Sequence, residues 1–278
     1  MKKIFCSILF ILIFLNVSYA DQKGIDIAKE TVKRNTGWVG SEVVFQMILK
    51  NASGGVAERK IRSMALENDK PNEGDKSLSI FDTPADVEGT IFLSHTKIKK
   101  PDDQWLFLPA LKRVKRISSS NKSGPFMGSE YAYEDLLSFE IDRFTHTFLR
   151  EEKCPGSFKD VDCFVVEQTP TYENSGYTRR IVWTHKNDYK AVYIDYYDRK
   201  NSLLKSLTFD NYKLYKDKFW RAHQLNMVNH QTKKSTLIIY EPYNFKHQMK
   251  IISNYREHFQ ITIGIAFPLF NCYDNRKY

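Results

Sequence analysis

The spacing of apolar and polar positions divides the chain into a few kinds of segment. Ile4 to Leu15 is almost unbroken apolar sequence behind the basic head Met1-Lys2-Lys3, and Ser18-Tyr19-Ala20 follows as a small-x-small site. That order reads as a secretory signal cut after Ala20, and the apolar run is shorter than the ~20 residues a membrane-spanning helix needs. From Asp21 to Thr36, Ile25, Ala28 and Val32 recur at helical spacing and Gly37 supplies a stop. The period then drops to two. In Glu42–Lys50, Val43, Phe45, Met47 and Leu49 share one face, and Glu42, Gln46 and Lys50 the other. Asn51–Gly55 is a turn, and Glu58–Glu67 is the returning strand.

The same grammar repeats at Ser77–Phe81, Thr90–His95, Gln104–Leu108 and Arg113–Ser118. After a break it resumes at Phe144–Glu151, Cys163–Gln168, Thr178–His185, Ala191–Tyr197, Leu203–Tyr215, Phe219–Asn229 and Thr236–Tyr240. Short strands at about ten-residue spacing, bounded by turn residues, predict an antiparallel sandwich or barrel. No helix of crossover length separates successive strands, which disfavours a parallel α/β sheet. The break, residues 118–133, carries Gly124-Pro125-Phe126-Met127-Gly128 and leads into a short helix expected over Tyr133–Phe139. A loop of this length inside a compact domain is usually functional or disordered. Phe126 and Met127 point to a segment folded over something apolar.

Composition and chemistry narrow the function. The formal net charge is +9, and loss of Lys2 and Lys3 with the signal leaves +7. An exported chain works without cytosolic ATP or nicotinamide, so anionic lipid is a better acidic partner than nucleic acid. No phosphate loop, His-Glu-x-x-His or Gly-x-Ser-x-Gly motif occurs. The seven histidines are scattered without ligand spacing, so no catalytic residue, metal or cofactor is expected. Asp102-Asp103 reads as a turn pair that caps or solvates, and Glu134-Asp135 as first-turn acids of the short helix. Cys154 and Cys163 flank a turn-rich stretch and are expected to form a disulfide, suited to an oxidising compartment. Cys272 has no assigned partner.

Three motifs in order carry a resemblance: Phe81-Asp82-Thr83-Pro84 through Leu93, Asp103-Gln104-Trp105-Leu106-Phe107-Leu108-Pro109 through Ile117, and Phe126-Met127-Gly128-Ser129-Glu130-Tyr131 with Tyr133-Glu134-Asp135-Leu136. Behind a signal peptide they resemble the periplasmic outer-membrane lipoprotein-sorting family, the LolA-like and LolB-like group. The match runs from about Gly24 to Lys246. The resemblance implies a mainly β (α+β) fold, a strongly curved antiparallel sheet forming an unclosed barrel with helices covering its concave face. It also implies an apolar cavity that holds lipoprotein acyl chains or free lipid, with an inner-membrane transporter and an outer-membrane acceptor as partners. Residues 21–247 would form this domain, as a monomer in the periplasm, and 248–278 a divergent tail. The candidate cavity wall is Phe45, Met47, Leu49, Trp105, Phe107, Trp183 and Phe209, with Phe126 and Met127 as lid. Arg113 and Arg116 are candidates for headgroup or partner contact. A non-catalytic subunit of an envelope export pump and a secreted hydrolase remain as alternatives.

Overall fold

The computed structural model describes residues 21–68 and 72–245. The expected signal segment and the tail, with Cys272, lie outside the described residues. One α-helix, α1 (residues 21–34), precedes fourteen strands. Those of the first half are β1 (Gly40–Lys50), β2 (Val56–Leu66), β3 (Glu73–Thr83), β4 (Ile91–Lys97), β5 (Asp103–Leu108) and β6 (Arg113–Ile117). The second half supplies β7 (Phe144–Lys153), β8 (Asp162–Pro170), β9 (Tyr177–His185), β10 (Ala191–Asp198), β11 (Leu203–Tyr215), β12 (Phe219–Asn229), β13 (Ser235–Tyr240) and the two-residue β14 (Asn244–Phe245).

All pairings are antiparallel, and they join the strands into one sheet in the order β6-β5-β4-β3-β2-β1-β13-β12-β11-β10-β9-β8-β7, with β14 also on β1. The chain therefore starts in the middle of the sheet, walks out to β6, crosses to β7 and walks back until β13 meets β1. The edges β6 and β7 do not pair with each other, so the sheet stays open. On the β6 edge Arg113, Lys115 and Arg116 are exposed, a charged edge that discourages pairing with other chains.

One face of the sheet is covered. α1 lies across it with Gly24, Ile27 and Ala28 buried, at i, i+3 and i+4. Gly24 lets the helix lie close on β7, since a Cβ there would meet the His146 carbonyl oxygen at 2.8 Å. Ile27 packs on Phe164 and Val166 of β8. Ile25, expected on the inward stripe, is only half-buried. Among the described residues the α-helix covering the sheet is thus single, and the rest of the cover is the crossover, residues 118–143, built of extended chain and 3-10 turns. Tyr133–Leu136 is one such turn in place of the expected helix, because Leu137 is already extended (φ −82°, ψ 152°).

The crossover plugs one end of the concave face. Phe126 is 2% exposed, with ring centroids 5.9 Å from Phe81, 5.0 Å from Phe92 and 5.6 Å from Tyr133. Burying such a ring contributes about 1.5–3 kcal/mol. Tyr131 and Ala132 are buried beside it. A second apolar cluster, Met64, Leu78, Ile80, Ile91, Leu93, Trp105 and Phe107, occupies the opposite face of β2–β5. Cys154 and Cys163 are covalently joined, as expected, and pack with Val192 and Trp183 in a further cluster.

Candidate functional site: a hollow beneath the helix

Small side chains make the hollow. On the concave face of β1–β3, Ser41 pairs with Ala65, Ala65 with Ser77, and Ser63 with Ser79. These five neighbours line a space of about 290 Å³ together with Phe45, Met47, Phe92 and Phe126. These five side chains are too short to fill the space above them, whereas Phe92 on the same face reaches Phe126 of the cover. This space adjoins a larger cavity of about 550 Å³ between α1 and the sheet, through Ser41, Ala65 and Tyr243. Ile27, Ala28 and Val32 of α1 form its roof, and Val182, Ile194 and Phe209 part of its floor. A third space of about 290 Å³ opens from the larger one past Phe209, Arg221 and Tyr243, at the C-terminal end of α1. The space of about 550 Å³ alone falls within the size range of small-molecule sites.

Glu67, Glu73, Asp75 and Glu140 line one side of the main cavity. Burial pushes the Asp75 carboxyl up to about 7, with Glu140 and Glu67 nearby adding to the rise against the bond from the Asn68 N–H. Glu140 is raised by burial too. Glu67 accepts from the N–H groups of Gly37 and Val39 at 2.7 and 2.8 Å, and Glu73 pairs with Lys97 at 3.2 Å.

The crossover is fastened rather than loose. Lys205 Nζ lies 2.7 Å from Asp135 Oδ2 and donates to the Glu130 carbonyl at 2.7 Å, and both side chains of the pair are 4% exposed. Tyr177 donates to Asp135 at 2.8 Å, and Asn229 to Glu130 Oε2 at 2.7 Å. Glu134 accepts from the Gly176 N–H, Ser175 and Tyr172, and burial raises its pKa. Asp102, expected to cap or face solvent, is buried in a two-pronged pair with Arg143. Glu134 and Asp135 stand in the first turn of Tyr133–Leu136, as expected, where Asp135 Oδ2 accepts from the Ala132 N–H at 2.7 Å, and both serve in addition as buried acceptors.

The expected wall divides. Phe45, Met47 and Phe209 line the hollow. Leu49 packs on the same core without reaching the cavities. Trp105 and Phe107 lie on the other face of the sheet, and Trp183 lies beside the disulfide with its Nε1–H donated to Glu152 at 2.7 Å. These three are corrections to the expected wall. Their strands carry apolar residues on both faces, so alternation does not say which face turns inward. Phe126 lines the hollow as a fixed plug, and Met127 is half-buried with its carbonyl accepting from Arg59. Neither has the freedom of a lid in this arrangement. Arg113 and Arg116 line none of the cavities described, and Arg116 pairs with Asp103 at 2.6 Å.

Sequence reasoning missed Tyr240, Tyr243, Leu225 and Ile238, which line the hollow, and the small-residue floor. The floor had a signal: serines and alanine recurring on one face of consecutive strands. Among the described residues no group of His, Cys, Asp and Glu forms a metal site, and no helix is long and apolar enough to cross a membrane.

An open curved sheet keeping a hollow under one helix defines the class of unclosed β-barrels with a concave binding space. Within it, the chain belongs to the outer membrane lipoprotein-sorting family. It is 50% identical to an outer membrane lipoprotein-sorting protein domain from Vibrio parahaemolyticus, with a TM-score of 0.79 over 84% of this chain and 98% of that one. A DUF1329 family protein from Desulfovibrio piger is 28% identical, with a TM-score of 0.75 over 82% of this chain and 93% of that one. A LolA superfamily protein from Nitrosomonas europaea shares the fold at 18% identity, with a TM-score of 0.63 over 80% of this chain and 93% of that one. A family model described as an uncharacterized protein matches residues 73–251. No curated protein matches the chain.

Proposed function

We propose that the protein is a periplasmic carrier that shelters the acyl chains of a lipoprotein or lipid in the hollow beneath α1 and helps deliver them toward the outer membrane. The observation that carries this is the hollow itself: about 550 Å³ under the helix, adjoined by a space of about 290 Å³ floored by serines and alanine and by a third space at the C-terminal end of the helix. Moving hydrocarbon out of water supplies the driving force, at about 0.8 kcal/mol per buried CH₂. Ordering the chains subtracts from that gain, which suits a protein that must also release its cargo. The family supports the reading, since the Vibrio relative is described as a lipoprotein-sorting domain.

Native mass spectrometry of protein purified from the periplasm tests it. Co-purifying lipid or lipidated peptide, lost on delipidation and regained on mixing with lipid, is the expected result. A chain that emerges empty and takes up no acyl compound, yet stays bound to a membrane complex, would show a docking subunit instead.

A further inference from the structure

The space at the C-terminal end of α1 differs in chemistry from the two it joins. Arg34, Lys190, Lys218 and Arg221 line it against a single carboxylate, Asp188. Two of these cations are neutralised. Arg34 pairs with Glu30 at 2.7 Å, and Lys190 pairs with Asp188 at 2.7 Å while lying over the Trp220 ring. The other two are not. Lys218 donates to the Thr36 carbonyl at 2.6 Å, and Arg221 donates to Asn35 Oδ1 at 2.6 Å and to the Trp220 carbonyl at 3.0 Å. Among the described residues neither reaches a carboxylate within ion-pair distance.

On the main-cavity side Glu67 and Asp75 are close enough to act on Arg221 electrostatically. Both Glu67 oxygens are engaged by Gly37 and Val39, and Asp75 Oδ1 by the Asn68 N–H. Arg221 is half-buried, and desolvation is the main influence lowering its pKa. A guanidinium in such a place is costly to hold without a counter-charge. It sits where the cationic space meets the apolar one, lining both.

We infer that Arg221, aided by Lys218, binds the anionic headgroup, phosphate or carboxylate, of an amphiphile whose chains lie in the cavity under α1. The inference rests on the carrier reading and sharpens it. The acylated cysteine end of a lipoprotein carries esters and an amide but no phosphate, so this site selects a free anionic lipid. Guanidinium is also the side chain whose forked donors match phosphate and carboxylate oxygens.

Calorimetric titration of delipidated protein with dioctanoyl-phosphatidylglycerol, with uncharged dioctanoylglycerol and with inorganic phosphate separates the alternatives. The anionic lipid is expected to bind on the order of tenfold tighter than the neutral one, which is the scale of one charge-assisted hydrogen bond. Arg221→Gln should remove that preference while leaving the neutral lipid's affinity unchanged, and Arg221→Lys should keep part of it. Lys218→Gln, at an exposed position, should reduce it without lowering the melting temperature, which guards against misfolding of the arginine variants. Equal affinities for the two lipids in the wild type, or equal losses for both in Arg221→Gln, would overturn the headgroup site while leaving the carrier reading intact. Phosphate alone binding as tightly as the anionic lipid, sensitive to Arg221→Gln, would overturn it in favour of a free-anion site. Binding of neither lipid would remove both readings.

Discussion

Ser63 and Ser79 face each other across β2 and β3 with their hydroxyls 3.3 Å apart, and the space above them is the hollow. Two short side chains at this register leave a gap that any larger pair would close.

Filling that gap is the most direct test of whether cargo uses it. Ser79→Leu puts a branched apolar side chain into the space of about 290 Å³ lined by Phe92 and Phe126. Because room already exists, the substitution should cost less than the ~1–3 kcal/mol of overpacking a filled core. The melting temperature should stay near that of the wild type while co-purified lipid falls severalfold. Full lipid retention in a well-folded Ser79→Leu variant would place the cargo elsewhere.

The fastening of the crossover gives a stability prediction. Lys205→Met leaves Asp135 buried with Tyr177 and the Ala132 N–H but without its cation. Removing one partner of a buried pair costs about 3–5 kcal/mol. Replacing both, as Lys205→Met with Asp135→Leu, should recover part of that loss because no charge is left stranded. Urea unfolding of the two single variants and the double variant measures the coupling, and strictly additive losses would show that the pair contributes nothing as a pair.

Most of the strands were readable, and the reason lies in turn residues and alternation. In β1 the polar set Glu42, Gln46 and Lys50 fixes which face Phe45 and Met47 take, and both reach the hollow. In β5, Trp105-Leu106-Phe107 is apolar on both faces because Leu106 joins the concave core while its neighbours join a second cluster. Ile181-Val182-Trp183 in β9 poses the same ambiguity. A shift of register between Ala191 and Tyr193 in β10 lets Ala191 and Ile194, of opposite parity, line the same cavity. No period of two reveals that. The buried acids of the crossover were equally hidden, since Glu134 and Asp135 find their partners on β9 and β11 or just before them, and Asp102 finds Arg143 across the opening. The Trp105 reassignment has its own consequence: Trp105→Ala should lower stability by about 3–5 kcal/mol with no selective loss of bound lipid, whereas Phe209→Ala should reduce lipid retention.

The disulfide spans a sequence separation of nine and belongs to a cluster apart from the cavities. Closing a loop of this size restricts the unfolded chain by about 2–3 kcal/mol. Reduction should therefore lower the urea midpoint and leave lipid binding to the folded protein unchanged. An unchanged midpoint in dithiothreitol would mean that the unfolded chain is constrained by other means.

Asp75 makes the stability of the cavity wall pH-dependent. Its carboxyl is raised from 3.8 to about 7, so the folded chain holds this proton over a range where the unfolded chain has already lost it. Stability from this group is greatest at acid pH and declines as pH rises from about 4 through 7, because the native state then binds more protons than the unfolded state. Burial is the main cause of the rise, opposed by the bond from the Asn68 N–H; of the charges nearby, Glu140 and Glu67 raise the value and Arg221 lowers it. Asp75→Asn keeps the size of the side chain and removes the titration. The variant should gain stability relative to the wild type between pH 5 and pH 8, and the difference should vanish near pH 4. Melting curves of both proteins across that range measure it, and a difference that stays flat with pH would mean that Asp75 ionises normally in the folded chain.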